Sequence, residues 1–175
     1  MRRLIIVVAG IILVLVLLVA VAALLGSRLP PEHVASQSIF LRRPPAEVYA
    51  VVRDFGSAPK WRSDVKQIDV ETRPDGRVYL REVGSNDTVN YELVEDVPNT
   101  RMVTRIRDTD LGYSGQWTYT FAAENGGTRL TIREDGVVSN VFFRFISRYV
   151  FGHTATIESY LAALAKHFGE ESGAR

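Results

Sequence analysis

The chain has 175 residues, no cysteine, and 21 Lys plus Arg against 20 Asp plus Glu. Without cysteine there is no disulfide, no thiolate catalysis and no Cys-ligated zinc. Arg2 and Arg3 precede a long apolar run, so the remainder carries 19 basic residues against 20 acidic ones. That balance gives no basic face for nucleic acid, and three scattered His give no metal site.

The apolar run opens at Leu4 and closes at Leu25 without a charged side chain. As a helix it would measure about 33 Å, enough to cross a hydrocarbon core of about 30 Å. The competing reading is a signal peptide cleaved near Ala20, Ala22 or Ala23, but the run exceeds the usual apolar region of roughly 7 to 15 residues. Arg2 and Arg3 flank one side and only Arg28 lies close on the other, so the positive-inside rule puts the short N-terminus in the cytoplasm and the globular part outside it. The expected organisation is an anchor over residues 1–26, a linker over 27–33 containing Pro30 and Pro31, one domain over 34–168 and a tail over 169–175.

Residues 34–41 alternate as a first strand, stopped by Pro44 and Pro45. Pro45 suits a first helical position, Glu47 complements the helix dipole, and Val48, Val51, Val52 and Phe55 follow at helical spacing. A second short helical turn follows over residues 57–63. Six strands are then expected over residues 66–72, 77–83, 88–97, 101–107, 114–123 and 128–135, separated by Pro, Asn, Asp and Gly turns. Hairpin after hairpin implies an antiparallel sheet. Residues 140–168 read as one helix of about 43 Å, with a stripe of Phe142, Ile146, Tyr149, Val150, Ile157, Tyr160, Leu164 and Phe168. His153 falls within the stripe and His167 at its margin. Gly152 beside His153 suggests room for a ligand, a bend, or close packing.

The residues Pro44-Pro45-Ala46-Glu47-Val48-Tyr49, then Asp54-Phe55, then Pro59-Lys60-Trp61-Arg62-Ser63-Asp64-Val65, and Gly127-Thr128-Arg129-Leu130-Thr131-Ile132 before the last helix resemble the START-like (SRPBCC) superfamily. They resemble its polyketide cyclase/dehydrase-like branch in particular. The resemblance covers about residues 34–168 and implies an α+β helix-grip fold. In that fold a curved antiparallel sheet of about seven strands wraps a long C-terminal helix, with two short helices after the first strand. It also implies a cavity between sheet and helix, which in many members holds lipids, sterols or polyketides. The membrane segment is a departure from soluble relatives, and fold likeness does not transfer a reaction.

Strand alternation selects the expected cavity wall. Trp117, Tyr119 and Phe121 share one face; Ile132 shares a face with Leu130, and Glu134 continues it. From the last helix Tyr149, His153, Ile157 and Tyr160 complete the ligand-binding set. Glu134 and His153 are the two polar members, readable as an acid and base pair or as groups satisfied by solvent and backbone. The residues 112–116 are not a nucleophile elbow, there is no phosphate loop or dinucleotide fingerprint, and no cofactor is expected. The Asn86-Asp87-Thr88 triplet is given no role. Residues 141–151, apolar and dotted with Arg144 and Arg148, suit either a bilayer surface, with Phe151 near both Arg, or packing on the domain's own loops. The leading expectation is a membrane-anchored, non-catalytic binder of a hydrophobic small molecule or lipid. The alternatives are a cyclase or dehydratase using Glu134 and His153, and a partner-binding module with a filled core.

Overall fold

The computed structural model describes residues 1–85 and 87–171, and of residues 150 and 151 the backbone alone. Asn86 of the glycosylation triplet, the end of the tail, and the side chains expected at Val150 and Phe151 lie outside that set.

Helix α1 (Arg2–Arg28) is the apolar run. Strand β1 (Glu32–Leu41) starts only four residues after it, leaving a shorter spacer than the expected 27–33. Then come α2 (Pro45–Arg53), with Pro45 at its first position, and a 3-10 turn (Phe55–Lys60). The strands β2 (Val65–Thr72), β3 (Val78–Gly84), β4 (Thr88–Val97), β5 (Arg101–Ile106), β6 (Tyr113–Glu124) and β7 (Gly127–Val138) follow. They form one antiparallel sheet in the order β1-β7-β6-β5-β4-β3-β2. Six of these strands are consecutive hairpins, because Gly76, Asn99, Asn125 and Gly126 adopt the positive φ that tight turns need. β1 closes the other edge by pairing with β7. The architecture is the expected helix grip.

Period two sets the inward face. On β7, Thr128, Leu130 and Ile132 are fully buried while Arg133 between Ile132 and Glu134 is exposed. Opposite them on β6 stand Tyr119 and Phe121, in register with Ile132 and Leu130. Helix α4 (Ala155–His167) lies across this face and buries Ile157, Leu161, Leu164 and Ala165 completely.

The single helix expected over residues 140–168 is corrected. The segment comprises a short α3 (Val141–Ile146), a π turn (Ser147–Phe151) and α4. Asn140 caps α3, its side-chain oxygen accepting from the Phe142 and Phe143 amides. Gly152 then takes φ 76° and ψ 160°, which ends the π turn and redirects the chain. Of the three explanations open for Gly152, close packing is not observed: the chain changes direction there, and a Cβ would meet nothing within 4 Å. Two members of the expected stripe, Phe142 and Tyr149, consequently face outward at 40% and 59% exposure.

Candidate functional site

A cavity of about 650 Å³ lies between the concave sheet, the 3-10 turn, α3 and α4. Register places much of its lining at one end of the sheet. Glu32 faces Val137, Val138 faces Tyr113, Arg105 faces Gln116, Tyr91 faces Ile106, Val83 faces Thr88, and Val65 faces Gly84. These pairs run along one end of the sheet, and many of their members line the cavity, as do Phe143, Ile146, Ser147 and Gly152. The opposite end is filled by α2 and the core.

Tyr160, on α4, stands in the middle of the wall. Its ring meets Trp61, Trp117 and Tyr119 at centroid distances of 5.3, 5.8 and 5.9 Å, and the Arg62 guanidinium lies 5.3 Å from its ring centre. Burial pushes the phenols of Tyr91, Tyr119 and Tyr160 well above their ordinary range, so all three are neutral at physiological pH.

Two polar groups interrupt the aromatic wall. In the first, Glu134 is held from both sides: its Oε1 lies 3.1 Å from His33 Nε2 and its Oε2 accepts from Trp117 Nε1 at 2.9 Å. The His33 ring stacks on His153 at 4.3 Å. His33 fits there because its strand partner is Gly136, where any side chain would collide with the imidazole. Burial, then the neighbouring His33 and Arg148, lower the His153 pKa against a smaller opposing pull from Glu134. In the second, Arg62 donates to both Glu82 oxygens at 2.9 and 3.0 Å and to Asp64 at 2.7 Å. Burial alone would lower the Arg62 pKa, but Asp64 and Glu82 outweigh it and the guanidinium stays charged.

Among the described residues four buried side-chain nitrogens have no hydrogen-bond partner, and three of them, His33 Nδ1, Trp61 Nε1 and Arg62 Nε, belong to cavity-lining residues. Each is a group that gains from a polar atom placed beside it.

Of the expected ligand-binding residues, Trp117, Tyr119, Glu134, His153 and Tyr160 line the cavity. Phe121, Ile132 and Ile157 lie in the packed core. Tyr149 sits outside, its ring against Phe145, because Gly152 ends the helix between it and Ile157. Sequence reasoning missed His33, Arg62, Glu82 and Tyr91. A signal existed for Glu82: it follows Val78 and Leu80 on β3 at period two just as Glu134 follows Leu130 and Ile132 on β7.

Solved structures of low sequence identity share the fold. A START superfamily protein from Mycobacterium smegmatis superposes with a TM-score of 0.63 at 16% identity, covering 78% of this chain and 97% of that one. The Zhui aromatase/cyclase from Streptomyces sp. R1128 gives 0.61 at 10% identity, covering 79% and 94%. The di-domain ARO/CYC StfQ from the steffimycin biosynthetic pathway gives 0.62 at 15% identity over 78% of this chain, which spans half of that one. No curated protein matches the sequence. The family model described as polyketide cyclase / dehydrase and lipid transport matches residues 32–169, from the first residue of β1 to just past α4, and the chain belongs to that family.

Proposed function

We propose that the domain binds, without converting it, a hydrophobic small molecule or lipid that carries a polar group, and that α1 anchors it in a membrane. The cavity and its aromatic wall carry this reading. A volume of about 650 Å³ falls within the range of about 300 to 1,000 Å³ usual for small-molecule sites. Its wall is aromatic around Tyr160, and Arg62, Glu134 and His153 place polar side chains among the lining residues for a hydroxyl, carbonyl or headgroup. Glu134 already has a partner on each oxygen, which suits a fixed acceptor better than a base that must pick up and release a proton. The anchor reading rests on α1 being 27 residues long and uncharged between Arg3 and Arg28, with the apolar side chains of its central stretch uncovered by the rest of the chain. Arg2 and Arg3 support a cytoplasmic N-terminus, with the domain on the other side.

The test uses full-length protein in detergent with Trp61→Phe, leaving Trp117 as the reporter beside Glu134. Palmitate, a phospholipid, a quinone and a sterol are titrated in turn. At 100 times its dissociation constant a ligand stabilises by about 2.7 kcal/mol, read as a rise in melting temperature together with a change in Trp117 emission. His153→Phe should shift preference toward wholly apolar ligands and Glu134→Gln should weaken those bearing a hydroxyl or carbonyl. If no probe moves either signal, the filled-core reading gains. Chemical conversion of a bound probe, lost on replacing Glu134 or His153 with binding retained, would establish an enzyme instead.

A further inference from the structure

We propose that residues 141–149 lie in the headgroup region of the bilayer that α1 spans, so that the cavity opens at the membrane surface. The proposal rests on the reading of α1 as a membrane span and adds what the domain does beside it.

Helix α1 does not leave the domain free. Its two buried residues, Ala22 and Gly26, stand one turn apart, and the element it touches most is α3. A side chain at Gly26 would collide with the Val141 carbonyl, and its Cβ would lie 3.4 Å from that of Phe145. Small residues at this spacing let the two backbones approach. Arg144 closes the contact, Nη1 donating to the Leu29 carbonyl at 2.9 Å and Nη2 to the Ser139 carbonyl at 3.0 Å. The side chain of one helix thus binds the backbone where the other ends.

Depth follows from this contact. Leu25 is the last residue of the apolar run, and Gly26 and Leu29 lie immediately beyond it. Ala22 lies about 6 Å deeper along the axis, at 1.5 Å per residue. α3 is therefore seated where the chain leaves the hydrocarbon.

The chemistry of the segment matches that depth. None of the six α3 residues is buried, and Phe142 and Phe143 are 40% and 48% exposed, with Tyr149 beyond them. Between residues 136 and 157 there is no Asp or Glu, while Arg148 is exposed and Arg28 ends α1, the helix that α3 touches. Aromatic rings with flanking Arg are the composition of a membrane interface, and the cations favour anionic lipid. The same segment borders the cavity through Phe143, Ile146 and Ser147. A bilayer lying against α3 thereby meets the side of the cavity that α3 lines, and an apolar ligand passes between lipid and cavity there without crossing water.

The absence of native cysteine makes the test direct. Single nitroxide labels are placed in full-length protein through Phe142→Cys, Tyr149→Cys, Val14→Cys in the middle of α1, and Asp75→Cys in the β2–β3 turn at the far end of the sheet. The proteins are reconstituted in vesicles of phosphatidylcholine and phosphatidylglycerol. Collisions with oxygen should exceed those with a water-soluble nickel chelate at 14, 142 and 149, and the ratio should invert at 75. If 142 and 149 behave like 75 while 14 stays in lipid, the proposal fails and the anchor stands. If 14 itself is open to the chelate, the anchor reading fails and the proposal with it.

Discussion

Helix α4 buries Ile157, Leu161, Leu164 and Ala165 completely, whereas α3, two residues beyond the end of β7, buries none of its side chains. Both are rich in apolar residues. The difference lies in what stands opposite. α4 crosses the concave face, where Leu130, Ile132, Met102 and Tyr119 close around it. Among the described residues α3 touches chiefly the end of α1, the π turn that follows it and the end of β7. Full burial is worth about 1.5–3 kcal/mol per large apolar side chain, so α4 holds the domain together and α3 contributes a surface. One helix is fixed by the fold while its neighbour is left for another partner.

Leu161→Ala should test this division most severely, with an expected loss of about 2–5 kcal/mol from the core, while Phe142→Ala should change stability by no more than about 0.5 kcal/mol. Urea unfolding of the full-length protein in detergent, followed by Trp fluorescence, reads both. Comparable losses would mean that α3 is also part of the core. The junction comes next. Gly152→Ala places a Cβ in open space, so any loss is due to its φ of 76° and not to a clash; that backbone region costs non-glycine residues of order 1–3 kcal/mol. Asn140→Ala removes the cap from α3 at a cost of about 1 kcal/mol. Its effect should be local, with faster hydrogen exchange at the Phe142 and Phe143 amides and unchanged protection in α4.

The sheet was legible from sequence because each turn carries Pro, Asn, Asp or Gly and because apolar residues alternate on β6 and β7. The division between α3 and α4 was not. Phe142, Ile146, Tyr149 and Ile157 keep a helical spacing across Gly152, and spacing records which residues share a face, not whether anything lies against that face. The positive φ of Gly152 depends on contacts at both of its ends. In the site, Glu134 and His153 stood out as polar residues within apolar patterns. His33 escaped because the strand was begun two residues too late, at 34. Arg62 escaped because it sits in a turn, and its pairing with Glu82, 20 positions on, shows in no periodicity; only folding β2 and β3 together brings the two within 2.9 Å.

The smallest expected effect probes the hinge between the two helices. His153 follows Gly152, stacks on His33, and has its pKa lowered by burial, by His33 and by Arg148 of the π turn, with Glu134 pulling the other way. In the unfolded chain it returns to about 6.5. The unfolded state then binds more protons between the two values, so stability rises with pH across that window. The contribution is complete above about pH 6.5 and is lost as pH falls through the lowered value. Melting temperature should therefore begin to drop below about pH 6.5, before ordinary carboxylates titrate near about 4, and His153→Gln should flatten this first part of the decline. NMR titration of the His153 ring proton gives the pKa itself. Arg148→Gln should move it up toward the unfolded value and shrink the pH dependence, since a cation is removed from its surroundings. An unmoved titration would show that the charge on the α3 side of Gly152 does not reach the cavity, and the two helices would then be electrostatically as well as mechanically separate.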